Sequence, residues 1–176
     1  MRSFIAISLT DEAKAAIIPL QRTLPVGRLV PPENMHLTLA FLDDQPEEAL
    51  EELHNELLFL SVPSFSVTFL GIECFGQALA VTVADCPALT ALYRKVQTAA
   101  RRAGIILPRR RFRPHVTIAR IKLEQRGAVQ HFLHSHTKSA LPDMLVTGFT
   151  LYQSTLRPKG AQHDALAHYA LKLVES

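Results

Sequence analysis

The sequence predicts an α+β fold with antiparallel sheets, and two observations carry that expectation. Stretches of strand character and of helical periodicity are mixed along the chain, without the strict alternation of parallel crossovers. A short pattern, His-apolar-Thr-apolar, is also written twice, as HLTL at 36–39 and HVTI at 115–118. Each copy lies in a strand candidate followed by a helix and a pair of strands, so the two halves of the chain resemble each other. With 176 residues, 48% of them hydrophobic and 20% charged, the chain has material for one core, and residues 1–176 are read as a single domain.

The elements follow in order. RSFIAISL, rich in β-branched and aromatic residues, is a strand. TDEAKAAIIPLQRTL is a helix with Thr10 as N-cap, Asp11 and Glu12 in its first turn, and a kink or break at Pro19. VGRLVPPEN is a loop and MHLTLAFL the next strand. PEEALEELHNELLFL places apolar residues three and four apart behind Pro46, which makes an amphipathic helix. SFSVTFLGIECFGQALAVTVAD is a hairpin turning near Gly76 and Gln77, and CPALTALYRKVQTAARRAG is a helix closed by Gly104. RPHVTIARI is a strand, EQRGAVQHFLHSH a weaker helix, DMLVTGFTLYQST a strand, LRPKGAQ a loop and HDALAHYALKL the last strand.

Formal net charge is only +3, so the distribution of charge matters more than its sum. Arg101, Arg102, Arg109, Arg110, Arg111 and Arg113 crowd the approach to the second motif. The opening MRSFIAISLT turns acidic too soon for a signal peptide, and no apolar run reaches membrane-spanning length. A cytoplasmic location, with no membrane contact, is expected. Cys74 and Cys86 flank the hairpin out of register, Cys74 opposing residue 79, so no disulfide is expected.

Side chains alternate along a strand, so His36 and Thr38 share one face while Leu37 and Leu39 point into a core. The same holds for His115 and Thr117 against Val116 and Ile118. Strict alternation continues to Ala40 and Ala119, which would leave room above the sheet. Two imidazoles suit displacement at phosphorus, where one proton leaves the incoming oxygen and another reaches the leaving oxygen. Threonine hydroxyls donate to the non-bridging oxygens as they gather charge. The set needs no metal and no cofactor if hydroxyls and arginines carry that charge. His131, His134 and His136 lie close together but lack a Cys or carboxylate to complete a metal set.

At these motifs the sequence resembles the 2H phosphoesterase superfamily, and within it the LigT-like bacterial RNA 2′,3′-cyclic phosphodiesterases of the 2′-5′ RNA ligase family. RSFIAISL, PPENMHLTLAFL, RRFRPHVTIAR and FTLYQSTLRPKG carry the resemblance over most of the chain. It implies two pseudo-symmetric lobes of antiparallel sheet with outer helices and a cleft between them. It implies opening of RNA 2′,3′-cyclic phosphate ends to a 2′-phosphate. His36 would be the general acid on the ribose 3′ oxygen, His115 the general base on water, and Thr38 and Thr117 the phosphate holders. Two positions depart from the family pattern: Asp43 stands where Gly is common, and His163 stands near the usual place of a Tyr. Both bear on the cleft rim.

Other residues join this reading as substrate contacts. Arg110, Arg113 and Arg157 offer phosphate a planar fork of donors, with Lys159 beside the last. Phe112 offers a face to a base. The expected partner is RNA with a cyclic phosphate end, met by a monomer. The same site suits two other reactions: 2′-5′ RNA ligation, with a 5′-hydroxyl replacing water, and hydrolysis of a small cyclic nucleotide. RNA binding without turnover is the fourth reading, and the intact His and Thr pairs argue against it.

Overall fold

A computed structural model describes residues 1–138 and 140–174. Ten strands and four helices occur among them: β1 (Arg2–Ser8), α1 (Asp11–Arg22), β2 (Arg28–Leu29), β3 (His36–Asp44), α2 (Glu47–Leu58), β4 (Phe65–Val67), β5 (Phe69–Phe75), β6 (Ala78–Val83), α3 (Pro87–Arg102), β7 (His115–Arg120), α4 (Gln130–Ser135), β8 (Met144–Val146), β9 (Gly148–Arg157) and β10 (Gly160–Ala170). The fold is α+β and its strand pairs are antiparallel, save one isolated parallel bridge between Pro63 and Lys172.

Local chemistry explains the ends. Thr10 Oγ1 accepts from the Ala13 N–H at 3.2 Å and caps α1. The helix runs through Pro19 to Arg22 without breaking. Pro19 removes the hydrogen bond to the Ala15 carbonyl, but both residues lie on the exposed side, open to solvent. Gly104, with φ +78, ends α3, and Gly76, with φ +60, turns β5 into β6. Cys74 pairs with Leu79 and both cysteines are free.

Four expectations are refined. The expected hairpin strand from Ser64 divides at Thr68 into β4 and β5, and the strand from Asp143 divides at Thr147 into β8 and β9. β4 and β8 leave the main sheet and pair with each other. LRPKGAQ is not a loop: Pro158 and Lys159 form a tight turn, Gly160 takes φ +130, and strands continue on both sides. The expected helix over 124–136 is two 3₁₀ turns and the short α4.

The main sheet runs β10-β9-β1-β3-β7-β6-β5, with β2 added beside β7. Chain order shows the repeat: β1-α1-β3-α2-β4-β5 is followed by β6-α3-β7-α4-β8-β9. The halves exchange strands, because β9 completes the sheet beside β1 and β5 completes it beside β6. They exchange helices too, since α1 packs on β7 and α3 on β3. Leu37, Leu39, Val116 and Ile118 are buried beneath these helices. The aliphatic side chains buried there stabilise each half through the other, by about 1.5–3 kcal/mol per side chain.

Candidate active site

β3 and β7 meet at one residue pair, Leu37 opposite Val116. Both side chains are fully buried on the helix-covered face. Their chain neighbours therefore emerge together on the open face. In this register His36 lies beside Thr117, Thr38 lies beside His115, and the two imidazoles occupy a diagonal. Regular antiparallel strands hold such diagonal residues about 7–8 Å apart.

The two histidines are supported alike. His36 Nδ1 donates to the Asn34 carbonyl at 2.7 Å, and His115 Nδ1 donates to the Arg113 carbonyl at 2.7 Å. A carbonyl only accepts, so each Nδ1 carries hydrogen and each Nε2 is left for proton transfer. Each ring also rests on a phenylalanine. Phe4 lies 4.8 Å from His36 and Phe75 lies 4.7 Å from His115, centroid to centroid.

Beyond the threonines both strands carry a bulge. Along β3, Ile5 and Ala6 pair with Ala40 and Thr38, skipping Leu39. Along β7, Leu79 and Ala80 pair with Ala119 and Thr117, skipping Ile118. One extra residue reverses which side chains face the site. Ala40 and Ala119 are therefore buried rather than lining a gap, contrary to the expectation from strict alternation. Phe41 and Arg120 emerge in their place, the first 61% exposed. Each bulge carbonyl is held by a glutamine of the exchanged helix. Gln21 of α1 donates to the Ile118 carbonyl at 2.8 Å and to the Val30 carbonyl at 2.9 Å. Gln97 of α3 donates to the Leu39 carbonyl at 3.1 Å.

A cavity of about 870 Å³ opens over this floor and holds His36, Thr38, His115 and Thr117 together. Arg2, Arg28, Arg120, Arg157 and Lys159 line it, with Asp43 as its one carboxylate among the described residues. The Arg28 guanidinium donates to the Lys159 carbonyl, tying β2 to the β9–β10 turn. Asn34 Nδ2 donates to the Ala161 carbonyl at 2.9 Å, tying the His36 support to β10.

The structure brings Arg157 into this lining, along with all four motif residues. It does not bring Arg110, Phe112 or Arg113 there. Phe112 stacks on Tyr93 with centroids 4.0 Å apart and packs against the core. Arg113 is held by Glu73 at 3.4 Å and lies over the Phe75 ring, so its contribution is the carbonyl behind His115. Arg110 is exposed on the segment before β7. Sequence reasoning missed Arg2, Arg28, Arg120 and Phe41. The apolar runs Leu39-Ala40-Phe41-Leu42 and Ile118-Ala119, which interrupt the alternation of each strand, were the available signal for the last two. Among the described residues no group of three His, Cys, Asp or Glu is arranged to hold a metal.

Residues 10–155 match the 2′-5′ RNA ligase superfamily. The chain belongs to that superfamily, the 2H phosphoesterases. A relative from Archaeoglobus fulgidus, named RNA 2′,3′-cyclic phosphodiesterase, is 27% identical over 91% of this chain and 94% of its own length. One of the same name from Escherichia coli is 30% identical over 97% of this chain and 96% of its own. Crystal structures of E. coli LigT, 26% identical and covering 97% of this chain, match with TM-scores of 0.76 in the apo form and 0.73 with 3′-AMP. They are covered to 97% and 96%.

In this 2H phosphoesterase the two histidines differ in surroundings. Burial pushes His36 down to about 4, against the hydrogen bond to Asn34, with the charges of His163, His115 and Arg120 adding to the burial. His163, on β10, lines the same cavity with its ring 5.3 Å from His36. Burial lowers it as well, opposed by Asp164. Asp43 has φ 55, the one non-glycine residue in the left-handed region among those described. A glycine at that place is the relaxed choice, which explains the family preference there. No helix of the described residues is long and apolar enough to cross a membrane.

Proposed function

We propose that this 2H phosphoesterase opens 2′,3′-cyclic phosphate ends of RNA to 2′-phosphates. The observation that carries the reading is the diagonal of His36 and His115, with Thr38 and Thr117 between them, around the single Leu37–Val116 pair. His115 Nε2 takes a proton from water as the water oxygen bonds to phosphorus. The bond from phosphorus to the ribose 3′ oxygen breaks, and His36 Nε2 gives that oxygen its proton. Thr38 and Thr117 donate to the non-bridging oxygens, and Arg120 adds positive charge from the same face. A cyclic phosphate carries one negative charge, and its arrival beside His36 raises the proton affinity that burial suppresses. Phe41, exposed on the site face, offers the base a stacking surface. Hydroxyls and guanidinium groups carry the transition-state charge, so turnover proceeds without a metal and persists in EDTA. The site is complete within one chain, which acts as a monomer. Two free cysteines suit the reducing cytoplasm.

Product analysis tests this. RNA with a 2′,3′-cyclic phosphate end is incubated with the protein, with and without a 5′-hydroxyl RNA, in EDTA, and phosphorus NMR identifies each species. A 2′-phosphate as the sole product of hydrolysis is expected. A 3′-phosphate or a mixture contradicts the placement of the acid, and loss of turnover in EDTA contradicts metal independence. A dominant 2′–5′ linkage in the second arm assigns the site to ligation.

A further inference from the structure

The repeat makes His36 and His115 equivalent, yet displacement at phosphorus needs them unequal: one gives a proton while the other takes one. β10 is the strand that breaks the symmetry. It lies outside β9, whereas β5, the counterpart of β9, ends the other side of the sheet. β10 carries His163 into the cavity, edge-on to His36 at 5.3 Å and edge-on to Phe4 at 4.8 Å. Among the described residues His115 has Phe75 beside it, as His36 has Phe4, but no counterpart of His163. Among the described residues the His163 imidazole makes no hydrogen bond to the protein, whereas those of His36 and His115 are each anchored through Nδ1.

We propose that His163 is the positioning residue that makes the histidine pair unequal, by governing the proton on His36 while leaving His115 alone. This rests on the two-histidine reading above. Two imidazoles this close resist carrying charge together. In the empty site a proton on His163 therefore excludes one on His36. The phosphate anion relieves that exclusion, so His36 becomes an acid only when substrate is present. The other charged groups around His36 are Asp164 beside His163 on β10, His115 and Arg120 on β7, Arg2 and Asp43 on the cavity wall, and Arg28 on β2. The charge of His163 ranks behind burial among the influences holding His36 down.

The test is a titration of ¹³C-labelled histidine ε1 resonances in the empty protein, for wild type, His163→Gln and His163→Tyr. Gln keeps a polar side chain without charge, and Tyr keeps a ring against Phe4. The expected result is a His36 midpoint moved upward in both variants, with the His115 midpoint in place. A His36 midpoint equal to wild type in either folded variant overturns the proposal, as does an equal shift of His115. The pH profile for cyclic phosphate hydrolysis gives a second reading, in which the acidic limb of kcat/KM moves up in step with His36. If the wild type hydrolyses no cyclic phosphate, the function proposed above fails, while the titration still decides the role of His163.

Discussion

Leu37 on β3 and Val116 on β7 form the single pair that joins these two strands, and both are fully buried. The proposed reacting groups are the chain neighbours of that pair, so the helix-covered core and the candidate site share one seam. Anything that shifts the seam shifts the histidines with it.

The glutamines test this coupling. Gln21 is 4% exposed and holds the carbonyls of Val30 and Ile118 from the far side of the sheet. Gln21→Leu should lower stability to urea by about 1–3 kcal/mol, because it leaves the part-buried Val30 carbonyl without its side-chain donor. It should also lower kcat/KM, since the bulge that aims Arg120 is loosened. Unchanged kcat/KM in a destabilised variant would show that the bulge holds without it.

Thr38→Ala and Thr117→Ala should each lower kcat by on the order of 10²-fold and leave the thermal midpoint close to wild type. Steady-state kinetics and melting curves check both. Wild-type turnover in both variants contradicts the phosphate-holding role.

His36 should make stability depend on pH. Its folded value is about 4 against the ordinary 6.5. Between these values the unfolded chain binds a proton that the folded chain refuses, so stability falls as pH falls through that window. Above 6.5 the effect is absent; below about 4 the loss is complete, on the order of 3 kcal/mol. His36→Gln removes it. Urea unfolding at pH 7 and pH 4.5 should show the variant gaining on wild type at the lower pH. Parallel pH slopes contradict the depressed value.

Asp43→Gly should be close to neutral for stability. A non-glycine residue in the left-handed region costs roughly 1–2 kcal/mol, and glycine loses about 0.4–1 kcal/mol through its freer unfolded chain. The cavity meanwhile loses its one described carboxylate, against Arg2, Arg28, Arg120, Arg157 and Lys159. KM for a cyclic phosphate end should fall several-fold. A raised KM would mean that Asp43 contacts the substrate favourably.

His36, Thr38, His115 and Thr117 were legible in the sequence because a strand has period two and the pattern occurs twice. Phe41 and Arg120 were not, because a bulge shifts that period by one residue and leaves only a short apolar run as its trace. The α+β class and the repeat followed from element order. The exchange of strands and helices did not, since pairing between distant segments leaves no local mark. Arg113 and Phe112 lie two and three residues before His115 in the chain, but Glu73 and Tyr93 draw their side chains away from the cavity. His163 is only one residue beyond the expected loop, and the tight turn at Pro158 and Lys159 places it in a strand facing the site.

The most direct test of two histidines acting on one phosphate is kcat for His36→Ala, His115→Ala and the double variant, on RNA with a 2′,3′-cyclic phosphate end. Each single variant should lose on the order of 10²–10⁴-fold, the range for general acid–base catalysis. The double variant should be little worse than either, because groups that act as a unit are not additive. Near-wild-type turnover in either single variant, or losses that multiply in the double, would contradict the paired mechanism.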